Sequence, residues 1–117
     1  MIETAGEYRT DGPRIRDIEG RHILFDAEGF WEDPDDWSES AARELARESN
    51  LPHMTEDHWR ILRFLRDYYY QNGRAPLNKQ LSSGLGIRLR DIQYLFPEGI
   101  KYGARRLAGL PNPKSCM

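Results

Sequence analysis

The stretch that decides the fold is Thr55-Glu56-Asp57-His58-Trp59-Arg60-Ile61-Leu62-Arg63-Phe64-Leu65-Arg66-Asp67-Tyr68-Tyr69-Tyr70-Gln71-Asn72-Gly73. Thr55 is a residue type that accepts a hydrogen bond from the first free amides of a helix, and Glu56 and Asp57 place negative charge where the helix dipole favours it. Trp59, Leu62, Leu65 and Tyr69 recur at helical spacing as one apolar stripe. Ile61, Phe64 and Tyr68 widen it, while Arg60, Arg63 and Arg66 lie off it. Gly73 supplies the left-handed conformation that ends a helix.

Upstream, the pattern changes twice. Residues 1–14 are polar and carry Gly6, Gly12 and Pro13, which reads as a loose arm with room for a short edge strand. From Ile15 to Phe30, two short apolar pieces flank Glu19-Gly20, with a second turn at Glu28-Gly29, which predicts a small β-hairpin. After Pro34, Trp37, Ala41, Ala42, Leu45 and Ala46 return to helical spacing, with Glu39, Arg43, Glu44, Arg47 and Glu48 on the other side. Asp36 or Ser38 is expected to cap that helix and Asn50 to stop it.

Downstream, short helices are expected. Pro76 opens one through Leu77 to Leu81, and Ser82-Ser83-Gly84-Leu85-Gly86 is expected to break it. Ile87 to Phe96 is another, closed by Pro97-Glu98-Gly99. Ile100 to Ala108 forms the last, with Gly109 placed to end it and Pro111 and Pro113 forbidding continuation. The expected fold class is mostly α (α+β): about five helices with a small N-terminal β-hairpin. The expected organisation is a flexible arm over 1–14, one domain over 15–109 and a mobile C-terminal arm over 110–117.

Composition narrows the function classes. The chain has 117 residues, 38% hydrophobic and 31% charged, with a net charge of -2. That is an ordinary globular composition with no whole-chain basic field to argue for nucleic acid. No apolar run is long enough to span a bilayer and no signal-peptide pattern opens the chain, so a cytoplasmic location is expected. One cysteine cannot form an internal disulfide, which fits a reducing compartment.

Several constellations have plainer explanations. His53 and His58 are five apart, wrong for one helix face, and no ligand set accompanies them or His22, so no metal site is expected. Gly84-Leu85-Gly86 lacks the lysine and third glycine of a phosphate loop. Glu32, Asp33, Asp35 and Asp36 do not match a calcium loop, and a helix-capping loop explains them better. Of Tyr68-Tyr69-Tyr70, which could stack on bases, two are expected in the core. The helices around Pro76 to Phe96 have the outline of a helix-turn-helix. With Lys79, Arg88, Arg90, Lys101, Arg105 and Arg106 nearby, DNA binding, docking of an acidic protein and a solvated face all stay open.

Cys116 is the lone cysteine, in Leu110-Pro111-Asn112-Pro113-Lys114-Ser115-Cys116-Met117. Too little chain surrounds it to bury it as a small apolar residue. Lys114 favours the thiolate, and the prolines favour an extended tether. At ~3.1 Å per residue, the tether carries the thiol on the order of 20 Å from Leu110. A bystander thiol on a frayed end is the bland reading. A nucleophile delivered into a partner's site is the sharper one, and no base or oxyanion hole accompanies it in sequence.

The chain resembles the DsrC/TusE family, on Phe25-Asp26-Ala27-Glu28-Gly29-Phe30, Trp37 with Ala41-Ala42, Thr55-Glu56-Asp57-His58-Trp59 and Phe64-Leu65-Arg66-Asp67-Tyr68-Tyr69. Leu95-Phe96-Pro97-Glu98-Gly99, Ala108-Gly109-Leu110-Pro111-Asn112-Pro113 and Cys116 continue the match in the family's order. The resemblance implies a hairpin on a helical bundle with a mobile arm, and a sulfurtransferase-type carrier that holds sulfur as a persulfide on Cys116, without cofactor. Lys101, Arg105, Arg106 and Lys114 are supporting candidates, guiding a partner or balancing the anionic persulfide. Arg105 stands where two-cysteine members have their second cysteine, which moves the reading toward the single-cysteine, TusE-like branch. Ser115 replaces the usual glycine and Met117 the usual valine or isoleucine. The implied partners are a TusBCD- or DsrEFH-like donor complex and an acceptor, either an MnmA-like tRNA thiouridylase or a sulfite reductase-like complex. The tRNA is reached only indirectly and no membrane is involved; the alternatives are a DsrC-like partner in dissimilatory sulfur oxidation or sulfite reduction, and a helix-turn-helix DNA-binding regulator.

Overall fold

The computed structural model describes residues 14–112. The arm expected over 1–14 lies outside the described residues but for Arg14, and so do Lys114, Ser115, Cys116 and Met117 at the other end.

Strands β1 (Arg14–Ile18) and β2 (Arg21–Phe25) pair antiparallel, Arg14 opposite Phe25 and Ile18 opposite Arg21. That register leaves a two-residue turn of Glu19 and Gly20, with φ of 54° and 78°. Two successive positive φ values match the right-handed twist of the strands, which is why Gly follows Glu here. Ile23 and Phe25 are buried while His22 and Leu24 point outward, the alternation of a sheet with one covered face. A second turn follows at once. Asp26 Oδ1 accepts from the amides of Glu28 and Phe30 at 2.9 Å each, and Phe25 bridges to Trp31.

A 3₁₀ turn over Pro34–Asp36 leads into α1 (Glu39–Glu48). Asp33 caps the turn by accepting from the Asp35 amide, and Ser38 rather than Asp36 caps α1, its Oγ accepting from Ala41 at 3.1 Å. The acidic cluster is therefore a capping loop. Asn50, at φ 64°, stops α1 as expected.

Helix α2 (Glu56–Asn72) is capped by Thr55 and closed by Gly73 at φ 76°. Its buried line runs through His58, Ile61, Leu62 and Leu65. Trp59, Phe64 and Tyr69 flank that line, partly buried against the core, and Tyr68 is half-buried while Tyr70 is exposed.

Helix α3 (Asn78–Leu85) corrects one expectation: Ser82, Ser83 and Gly84 lie inside it, and the break comes only at Gly86, with φ 70°. Packing explains the glycine within the helix. A Cβ on Gly84 would sit 2.4 Å from Phe64 Cζ. Helix α4 (Leu89–Leu95) follows, and the last helix, α5 (Ile100–Arg105), is wound as a π-helix before Arg106 and Leu107 return to α geometry. The core joins Ile23, Phe25 and Trp31 of the hairpin region to α1, α2, Leu81, Ile92 and Leu107. Five helices and a hairpin match the expected class. Leu110, expected to begin the mobile arm, is fully buried in that core.

Candidate functional site

The described chain runs out at Asn112, four residues before Cys116. Its last seven residues are held from three directions. Gly109 takes φ 78°, its amide donates to Arg106 O at 3.1 Å, and the Leu110 amide donates back to Arg105 O at 3.2 Å. This pairing closes the helix in a Schellman motif and turns the chain away from its axis. A Cβ on Gly109 would meet Trp37 Cδ1 at 2.4 Å, so glycine is required by space as well as by conformation.

The final carbonyls of a helix have no partner within it. Here three consecutive ones are satisfied by side chains from separate elements. Trp31 Nε1 donates to Arg106 O at 2.8 Å, Trp37 Nε1 to Leu107 O at 2.7 Å, and Arg66 Nη1 to Ala108 O at 2.9 Å. Arg66 also donates through Nη2 to Pro34 O at 3.2 Å and lies 4.3 Å over the Trp37 ring. A cation at a helix C-terminus is favoured by the dipole, and its stacking on indole adds a second attraction. Beyond the turn, Asn112 Nδ2 donates to Asp26 Oδ2 at 3.0 Å. One carboxylate thus orders the loop after β2 and holds the last described residue.

The arginines before this root diverge. Arg106 reaches toward the hairpin side, donating to Ser49 Oγ at 2.9 Å and to Tyr102 O at 3.0 Å, with Glu98 at 3.8 Å. Burial lowers its pKa from the ordinary arginine value, and the nearby Glu98 carboxylate opposes that shift. Arg105 turns the other way. It is buried, donating through Nη2 to Pro76 O at 2.7 Å and Asn78 Oδ1 at 3.4 Å, and desolvation lowers its pKa. Lys101 and Arg105 line one cleft with Leu77, Asn78 and Ile100, and Arg106 is not part of it. The three cations grouped in the sequence do not share one face.

His58 is deeper than a surface histidine. Its Nδ1 accepts from the Thr55 amide at 2.9 Å and its Nε2–H donates to Leu95 O at 2.7 Å, tying α4 to the start of α2. His22 and His53 are exposed, and the described residues contain no His, Cys, Asp and Glu grouping suited to a metal ion. In the helix pair α3–Gly86–α4, Arg88 lies 3.6 Å from Asp91, and Lys79 and Arg90 are exposed. No helix among the described residues is long and apolar enough to cross a membrane.

Trp31, Arg66, Asp26 and Asn112 were not singled out as site residues by the sequence. The signal available was chemical: a buried indole needs an acceptor for its N–H.

The family of DsrC like proteins matches residues 17–117. The chain belongs to the DsrC-like family. It is 36% identical over 98 residues to the dissimilatory-type sulfite reductase subunit gamma of Nitratidesulfovibrio vulgaris, covering 84% of this chain and 93% of that protein. It is 33% identical over 107 residues to a sulfurtransferase TusE homolog of Haemophilus influenzae, covering 86% and 97%. Among solved structures it is similar to the oxidized gamma-subunit of the dissimilatory sulfite reductase (DsrC) from Archaeoglobus fulgidus. The TM-score is 0.78 at 33% identity, covering 89% of this chain and all of that one. Both branches of the family named at the sequence level are thus represented among its relatives.

Proposed function

We propose that this DsrC-like chain is a sulfur-relay protein whose carrier is Cys116. The Cys116 thiolate attacks the outer sulfur of a donor's persulfide. A new S–S bond forms to Cys116, the donor's S–S bond breaks, and the donor leaves as a thiolate. The hydrogen stays on the transferred sulfur. A nucleophile on the acceptor, or on its activated substrate, then takes that outer sulfur and Cys116 returns as thiolate. No oxidant is consumed in the first exchange, because sulfane sulfur passes between two thiols.

The observation that supports this reading best is the clamped root at Arg106–Asn112. A carrier on a tether benefits when the tether starts from a fixed point, because effective concentration falls as the volume searched grows. The bonds from Trp31, Trp37, Arg66 and Asp26 provide such a point four residues before the thiol. With one cysteine in the sequence, the sulfur leaves to another molecule rather than to a second internal thiol. That favours a TusE-like relay toward tRNA thiolation over direct service to a sulfite reductase.

Incubation with a persulfurated donor protein followed by intact-mass measurement tests the proposal. Wild type is expected to gain one sulfur atom, removable by reductant, and Cys116→Ser none. Absence of loading on wild type, or equal loading on the variant, defeats it.

A further inference from the structure

The buried guanidinium of Arg105 raises a separate question. Only 6% of this residue is exposed, and its identified acceptors, Pro76 O and Asn78 Oδ1, are neutral. Its Nε–H is sealed from the surface with no acceptor among the described residues. Among the described residues no carboxylate pairs with it, whereas Arg16, Arg21, Arg43, Arg47, Arg63, Arg88 and Arg106 all have one. A cation withdrawn from water and given only neutral partners is a costly arrangement, and a spare buried donor adds to the cost.

The surroundings suit a ligand that would offset that cost. Arg105 lines a cleft of about 370 Å³ with Lys101, Asn78, Ile100 and Leu77. Lys101 is exposed, stands one residue inside the same π-helical turn, and has no carboxylate partner among the described residues. The cleft therefore holds an inner cation and an outer one, with Asn78 supplying an amide. The chain as a whole is net negative, so this positive concentration is local. π-helical turns are rare and often mark functional sites. Two cations on different stems, rather than one planar fork, match a tetrahedral group better than a flat carboxylate.

We propose that the cleft between α5 and the segment entering α3 binds a tetrahedral oxyanion of sulfur or phosphorus, with Arg105 as the inner cation and Lys101 at the mouth. Leu77 and Ile100 face whatever apolar body carries the group. The site is independent of Cys116.

Nitrogen-15 NMR titration of the full chain with inorganic sulfate, and separately with inorganic phosphate, against chloride at equal ionic strength, provides the test. Either oxyanion is expected to shift the Arg105 Nε–H signal and the amides of Asn78, Ile100 and Lys101 saturably, and chloride is not. The anion that saturates at lower concentration identifies the preferred class. Lys101→Gln is expected to weaken binding roughly tenfold, the worth of one charge-assisted contact. Arg105→Gln is expected to abolish saturation, and Cys116→Ser to leave it unchanged. Should Arg105→Gln fail to fold, the exposed Lys101 carries the test alone. Linear shifts, equal shifts with chloride, or no effect of Lys101→Gln overturn the proposal.

Discussion

The C-terminal root and the α3–α4 corner are both short, turn-rich regions near the end of the chain, yet they are held by different forces. At the root, Trp31, Trp37 and Arg66 each aim a donor at one backbone carbonyl, and Asn112 aims one at Asp26. Hydrogen bonds weaken steeply off-axis, so such contacts specify direction as well as distance. At the corner, Leu81, Leu85 and Ile92 supply apolar burial, and the polar ties are spread along both helices rather than gathered on one short segment: Tyr68 to Gln80 Oε1, Arg105 to Asn78 Oδ1, Arg60 to Leu85 O, Ser82 to Ile87 O and His58 to Leu95 O. Apolar burial is non-directional, so it fixes proximity more than orientation. In the region leading to the proposed carrier thiol, the directed bonds converge on consecutive residues. The corner, where a helix-turn-helix reading would place its recognition helix, presents Arg88 against Asp91 and a largely exposed Tyr94.

This contrast can be broken by substitution. Gly109→Ala is expected to have the largest effect, about 3 kcal/mol, from left-handed strain plus overlap with Trp37. Urea denaturation measures it, and a loss near zero would mean the root tolerates another path. Arg66→Ala removes the donors to Ala108 O and Pro34 O and the stack on Trp37, for an expected loss of about 2 kcal/mol. Arg66→Lys is expected to recover only part of it, because an ammonium cannot reproduce a planar fork spanning two carbonyls. Full recovery would show that charge, not direction, matters there.

In the corner, volume should decide. Gly84→Ala is expected to cost about 1 kcal/mol because its Cβ meets the Phe64 ring. In a Phe64→Leu background the same change should become stabilising by about 0.8 kcal/mol relative to that background, the helix preference of alanine over glycine. If the sign does not reverse, Phe64 is not the reason for the glycine.

The smallest effect concerns Tyr70, which donates to Asp35 Oδ1 at 2.5 Å beside Arg66. Burial raises its pKa, and the bond to Asp35 adds to that shift. The folded state therefore favours the neutral phenol. Its contribution is present below the unfolded value near 10 and is lost as pH rises through the higher folded value. Tyr70→Phe is expected to match wild type in shape up to about pH 9 and to lack part of the alkaline decline above it. Parallel decline in both proteins would remove Tyr70 from the account.

Much of this architecture could be read along the chain. Glu19-Gly20 declared its turn, Thr55 and Gly73 bounded α2, and Gly109 marked the end of the helical run that continues α5 through Leu107, because each rests on local backbone conformation. The misreadings have physical causes too. Ser82-Ser83-Gly84 looked like a break because all three residues favour loops, but α3 continues through them under the Phe64 ring. The sequence left His58 without a partner, because nothing local announces the Leu95 carbonyl, a contact made across 37 residues. Lys101, Arg105 and Arg106 looked like one basic face because spacing alone does not reveal that Arg105 turns toward Pro76 and Arg106 toward Ser49.

By itself, the sequence determined the hairpin-plus-helices class, the order of the elements, most helix ends and the family, all carried by local periodicity, caps and ordered motifs. It also determined that a single thiol stands beyond two prolines. Tertiary structure alone decided that two tryptophans, an arginine and an asparagine fasten the segment before that thiol, and that one of two adjacent arginines is buried with no carboxylate partner among the described residues. Those outcomes depend on donors and acceptors brought together from positions up to 86 residues apart, and no local pattern encodes such a meeting.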